Sequence, residues 1–134
     1  PILRSAVVVP PSFASSIIAL MPQQGMFMIS TVTGFKLLRL EEIGFFEYLK
    51  DKRQWQVVLF NQTRLNLKRN TKAEDIVSYS QAFVHISQSA IVNVNYLAMI
   101  DGKCCQLYPP FHDKGDLVIS RSYLKELQER FYVL

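Results

Sequence analysis

Phe83-Val84-His85-Ile86-Ser87-Gln88-Ser89-Ala90-Ile91-Val92-Asn93 decides the fold. β-Branched and aromatic residues cluster at Phe83 to Ser87 and again around Ile91 to Val94, so the stretch predicts two short strands. In that setting Gln88 is a turn residue bonding its own backbone, and this role stands beside any other proposed for it. Strand character continues downstream at Leu97 to Ile100, Lys103 to Tyr108 and Leu117 to Ile119, with Asp101-Gly102 placed as a two-residue hairpin turn. Pro109-Pro110 through Gly115 must be a loop, because paired prolines cannot serve a central strand. Beyond it, Ser120 or Ser122 caps a terminal helix on which Leu124, Leu127 and Phe131 share a face.

Upstream the period changes. Thr71 followed by Glu74 has capping-box spacing, and Ala73, Ile76 and Val77 give a short helix that stops near Ser80 one apolar stripe. Before it, Met26 to Thr33, Phe35 to Leu40, Ile43 to Leu49, Gln54 to Phe60 and Thr63 to Leu67 form a meander of strands. Breaks fall at Gly34, Glu41-Glu42, Asp51-Lys52 and Asn61-Gln62. Thr63, Leu65 and Leu67 alternate with Arg64, Asn66 and Lys68, which sets an apolar face against a basic and amide-bearing one. The predicted architecture is mainly β, with two short helices.

Residues 1–25 differ from the rest. Pro10, Pro11 and Pro22 break them, and Ser12 can cap a short helix with Phe13, Ile17 and Leu20 on one face. A linker from a preceding domain and an extra helix packed on the core both fit. The folded domain is expected to span 26–134.

A chain of 134 residues with 49% hydrophobic content supports one core rather than two. Its net charge of +4 tilts toward an anionic partner, and the basic residues crowd one segment: Lys36, Arg39, Lys50, Lys52, Arg53, Arg64, Lys68, Arg69 and Lys72. A solvated sheet face accounts for this charge as well as a phosphate-facing surface does. Cys104 and Cys105 are adjacent and point to opposite faces of a strand, which disfavours a disulfide between them and fits a reducing cytosol. The apolar run Ile17 to Met21 is far shorter than the ~20 residues of a membrane span, and no signal-peptide pattern is present. A cytoplasmic protein without membrane association is expected.

The sequence offers little to catalysis. His85 and His112 are the only histidines, and neither has a partner at metal-ligand spacing. Phosphate-binding glycine loops, nucleophile elbows and Cys-x-x-Cys pairs are absent, and the carboxylates are scattered. No enzyme, metal or cofactor is expected. The acidic residues and βα alternation of a phosphoacceptor receiver are also missing, so phosphorylation control must come from elsewhere.

The opening stretch resembles the core motif of the LytTR (LytR/AlgR-type) DNA-binding family, with Ser89, Val92 and Asn93 in register. Ile43-Gly44-Phe45-Phe46-Glu47 resembles the family's Ile-x-aromatic strand ending in Glu, and Ile119-Ser120-Arg121 its Val-Ser-Arg before a final helix. Together these anchors cover roughly Met26 to Phe131. Ser87 stands where the motif has His, and Ala90 where it has an aromatic. The resemblance implies an elongated arrangement of small antiparallel sheets with one or two short helices. It implies a response-regulator output domain that binds direct-repeat double-stranded DNA through loops in successive major grooves, as a homodimer on DNA, under a receiver domain or sensor kinase outside this chain.

Carried over, the family's base-contacting positions fall on Gln88 and Arg121, and a third contact on the loop of Lys50, Lys52, Arg53 and Gln54. A Gln amide suits adenine, and an Arg fork suits guanine O6 and N7. Ser87, His85, Arg64, Lys68 and Arg69 are secondary candidates. Ser89 and Asn93 are expected to be scaffold, bonding the turn's backbone. The alternative is a small β protein-interaction module that pairs through sheet edges without DNA. Single-stranded RNA binding would need paired exposed aromatics, and Phe45-Phe46 are expected to be partly buried.

Overall fold

Strand β3 (Ile43–Leu49) lies at the centre of the fold, and neither face of its first four residues meets water. It reads Ile-Gly-Phe-Phe, a continuous apolar run rather than an alternation, which is what a strand covered on both sides requires. Phe46 packs into one core with Ile29, Leu38, Trp55, Val57, Leu67 and Ile76. Phe45, on the other side, packs into a second with Val92, Cys105, Leu107, Phe111, Ile119 and Leu127.

The computed structural model describes residues 26–134. The extension of residues 1–25, expected to be a linker or a Ser12-capped helix, lies outside them. The described chain runs β1 (Met26–Thr31), β2 (Gly34–Arg39), β3, β4 (Gln54–Leu59), β5 (Arg64–Asn66), α1 (Ala73–Tyr79), β6 (Phe83–Ser87), β7 (Ala90–Asn93), β8 (Leu97–Asp101), β9 (Cys104–Leu107) and α2 (Arg121–Arg130). All strand pairs are antiparallel. They form a five-stranded sheet of order β5-β4-β3-β7-β6 between two hairpins, β1-β2 and β8-β9. The β1–β2 hairpin and α1 cover one face of the sheet, while the β8–β9 hairpin, the Phe111 loop and α2 cover the other. The expected mainly β fold of small antiparallel sheets with two short helices is therefore the observed one.

Asn93 joins these layers. It is fully buried, and its Nδ2 donates to the carbonyls of Leu40 at 3.0 Å and Ile43 at 2.9 Å. Its Oδ1 accepts from the Asn95 amide at 3.0 Å. A buried amide is tolerated only when its donors and acceptor are matched, and here both Nδ2 donors and the oxygen are used. Asn93 thus ties the end of β7 to the turn between β2 and β3.

Several boundaries differ from the sequence expectation. Asp101 pairs with Cys104, so the hairpin turn is Gly102-Lys103. Only Gly102 takes a positive φ there, 64°, the pattern of a type II′ turn with glycine at its first central position. Helix α1 starts from Lys72, whose amide donates to Asp75 Oδ2 at 2.8 Å, so the capping contact sits one residue beyond the expected Thr71–Glu74 pair. Leu117 to Ile119 forms no strand of its own. The segment lies along β9 through Cys105 N to Leu117 O and Ile119 N to Lys103 O, each 2.8 Å. Phe131 falls past the last turn of α2 and is exposed, whereas Leu127 is buried. Phe45 and Phe46 are fully rather than partly buried.

Cys104 is exposed and Cys105 buried, and both are free thiols. Burial, then the neighbouring Cys104, pushes the Cys105 thiol up to about 11. No helix among the described residues is long and apolar enough to cross a membrane.

Candidate functional site

Three chain segments far apart in sequence meet at one end of the central sheet. Strands β6 and β7 are joined by Gln88-Ser89, with Ser87 paired to Ala90 and the Ser89 amide donating to Ser87 Oγ at 3.3 Å. The Tyr48 amide donates to the Ser89 carbonyl at 2.9 Å, which docks this turn against the end of β3. The Ser120 amide donates to the Ile86 carbonyl at 2.7 Å, which brings the start of α2 to the same place. Ser120 caps the helix, its hydroxyl accepting from the Tyr123 amide.

The result is an open depression of about 420 Å³ lined by Tyr48, Leu49, Ser87, Ser89, Val118 and Ser120, among others. The candidate residues stand at its rim. Lys50 follows Leu49, Gln88 lies between Ser87 and Ser89, and Arg121 follows Ser120. All three are exposed, as are Lys52 and Arg53 in the β3–β4 turn. Arg53 holds φ at 52°, a left-handed conformation that closes this turn. Arg121 opens α2 with no acidic residue in the first turn, so its cation sits at the positive helix end without compensation from that turn.

The other candidates lie elsewhere or are occupied. Gln54 does not belong to the exposed loop: it is 5% exposed, and its Nε2 donates inward to the Leu67 carbonyl at 2.8 Å. Ser87 is partly buried, and its Oγ serves the turn. His85 stacks on Tyr123, with ring centroids 4.9 Å apart, and its Nδ1 lies 3.1 Å from the Ser87 carbonyl. Arg64 is committed to Glu47 at 3.3 Å and Gln56 at 3.2 Å. Lys68 and Arg69 border a separate depression with Phe35, at the tip of the β1–β2 hairpin. Ser89 supports the turn through its amide, which donates to Ser87 Oγ, and through its hydroxyl, 3.5 Å from the same oxygen.

The sequence reading missed Lys114. Two acids, Glu47 and Asp116, line the depression and would repel an anion. Lys114 Nζ bridges them at 2.8 Å and 2.9 Å. Burial alone pulls its ammonium down, but hydrogen bonds to Glu47 and Asp116 outweigh this and raise it. The hydrogen bond from Lys114 holds the Asp116 carboxyl below its ordinary value. The Asp116 contribution to stability is thus complete above its ordinary value of 3.8 and is lost as pH falls through the lowered one. The Lys114 contribution is complete below 10.5 and is lost as pH rises through the raised one. The bridge therefore stands across the neutral range. Lys114 and Glu47 are 67 positions apart, and no local pattern in the sequence signals the pairing.

The profile of the LytTr DNA-binding domain family matches residues 33–132. A search of curated proteins returned no match. Among solved structures, a LytTr DNA-binding domain from Bacillus cereus is similar, with a TM-score of 0.55 and 18% identity over 80% of this chain and 96% of that one. At that identity the likeness concerns the fold.

Proposed function

The chain belongs to the LytTr DNA-binding domain family, and from that premise we propose that it binds double-stranded DNA sequence-specifically, as the output domain of a response-regulator-type transcription regulator. The observation that carries this reading is the convergence of the β6–β7 turn, the β3–β4 turn and the α2 start on one rim, with Gln88, Arg121, Lys50, Lys52 and Arg53 exposed. In this reading Gln88 and Arg121 contact base edges in the major groove, where an amide matches adenine and a guanidinium fork matches guanine. Lys50, Lys52 and Arg53 contact phosphates, which position the protein without reading sequence. The N-terminus of α2 adds a partial positive charge to the same side. Binding is to repeated half-sites by paired copies, in the cytoplasm, under a receiver domain or sensor kinase outside this chain. No catalytic step is assigned.

Selection from a random duplex pool with the 134-residue chain tests the proposal. The expected result is enrichment of one motif, with log affinity falling linearly in log salt by about 0.9 per phosphate contacted. Recovery of unselected sequence at low salt would reject sequence-specific binding.

The Lys114 bridge gives a second expected outcome. Lys114→Met leaves Asp116 without its cation and Glu47 with Arg64 alone beside the DNA-facing rim. Affinity for all duplexes should fall by about fivefold, on the scale of one partly exposed ion pair. Titrations by fluorescence anisotropy would measure this, and Lys114→Arg should retain most of the binding. Unchanged affinity in Lys114→Met would mean that the two acids do not face the DNA.

A further inference from the structure

The outer face of the β1–β2 hairpin exposes three large apolar side chains, with Arg39 at its open end. Met28 pairs with Leu37 and Ser30 with Phe35, so Met28, Phe35 and Leu37 share one side of this two-stranded sheet. Ile29 and Leu38 on the other side are buried in the core. Met28, Phe35 and Leu37 are 65%, 73% and 58% exposed. A contiguous apolar face of this kind marks an interaction surface.

We propose that this face is the docking surface for the chain's own segment Ser12–Met21, packed on it as an amphipathic helix. The argument rests on reach. Pro22-Gln23-Gln24-Gly25 is the whole connection between Met21 and Met26, the first residue of β1, and five steps of extended chain span at most about 18 Å. Met21 must therefore lie within that distance of the start of β1. The inner face of the hairpin is already filled by the core, and the outer face begins at β1 itself, within that reach.

The chemistry of the segment fits that face. Phe13, Ile17 and Leu20 recur at helical spacing, with Ser15 and Ala19 opposite. Residues 12–25 carry no charged side chain, so burial strands no ion. Ten helical residues extend about 15 Å, and the six-residue strands beneath them about 20 Å. Pro22 would end such a helix at Met21.

Cross-linking in the full chain tests the proposal, in a Cys104→Ser background that leaves only the buried Cys105. Ile17→Cys with Leu37→Cys places two thiols on facing surfaces, and Ser15→Cys with Leu37→Cys places one on the far side. With a short bismaleimide, the first pair should close within one chain at least about fivefold faster than the second, because a docked thiol has the higher effective concentration. Far-UV circular dichroism confirms that both variants are folded. Equal rates would overturn the proposal, showing a tether with no preferred face. Cross-links only between chains, increasing with protein concentration, would overturn it in favour of a second copy on this surface.

Discussion

Gly44→Ala is expected to destabilise the protein by about 3 kcal/mol, at the upper end of ordinary overpacking costs. For a domain of this size that lowers the thermal midpoint by roughly 10 °C. A Cβ built on Gly44 would overlap the Cε1–Cζ–Cε2 edge of the Phe111 ring, and the ring has little room to retreat. Phe111 is buried, with Phe45 edge-on at 5.8 Å and Tyr96 edge-on at 4.8 Å. Phe111 also anchors its loop, since its amide donates to the Tyr108 carbonyl and its carbonyl accepts from the Lys114 amide. Displacing the ring therefore disturbs Lys114 and the charge bridge beside the rim. Thermal melts of Gly44→Ala, Phe111→Leu and the double variant measure the coupling. The smaller leucine should admit the added methyl, so the double variant should be clearly more stable than the sum of the single losses implies. Strict additivity would show that the ring is not what the methyl meets.

The role of Gly44 could not be read from the chain, because its partner lies 67 positions away in a loop the sequence marks only as proline-broken. The elements themselves were legible. β3 and β6 begin and end where their composition places them, since β-branched and aromatic runs bounded by polar breaks leave little choice. The opposite exposures of Cys104 and Cys105 follow from strand alternation alone. Features set by one residue of register were not legible. The hairpin turn falls on Gly102-Lys103 rather than Asp101-Gly102, and α1 is capped through Asp75 rather than Glu74. Gln54 illustrates the limit at the site: a polar residue beside a basic turn reads as a loop member, yet it opens β4 and its amide is needed by the Leu67 carbonyl inside. The rim was legible only through motif positions around Gln88 and Arg121, since no local rule brings the two together. The hydrogen bond from Ser120 to Ile86 does so, and the sequence carries no signal for it.

Arg121→Ala is expected to remove discrimination while leaving much of the affinity. Arg121 stands exposed at the first position of α2, where a cation is unfavourable by about 0.3–1 kcal/mol against the helix dipole. Contact with DNA would relieve that cost. If its guanidinium fork reads a guanine edge, preference for the selected site over random duplex should fall by roughly 5- to 150-fold, the equivalent of one bidentate contact. Lys52→Ala should instead weaken both duplexes alike and reduce the salt slope by about one. Arg121→Lys separates charge from geometry, because lysine keeps the cation and loses the planar fork. It should retain the affinity for random duplex and still lose the preference. Paired titrations on selected and random duplex at several salt concentrations measure all three variants. If Arg121→Ala lowered both affinities by the same factor, Arg121 would be a phosphate contact, and base reading at this rim would rest on Gln88 alone.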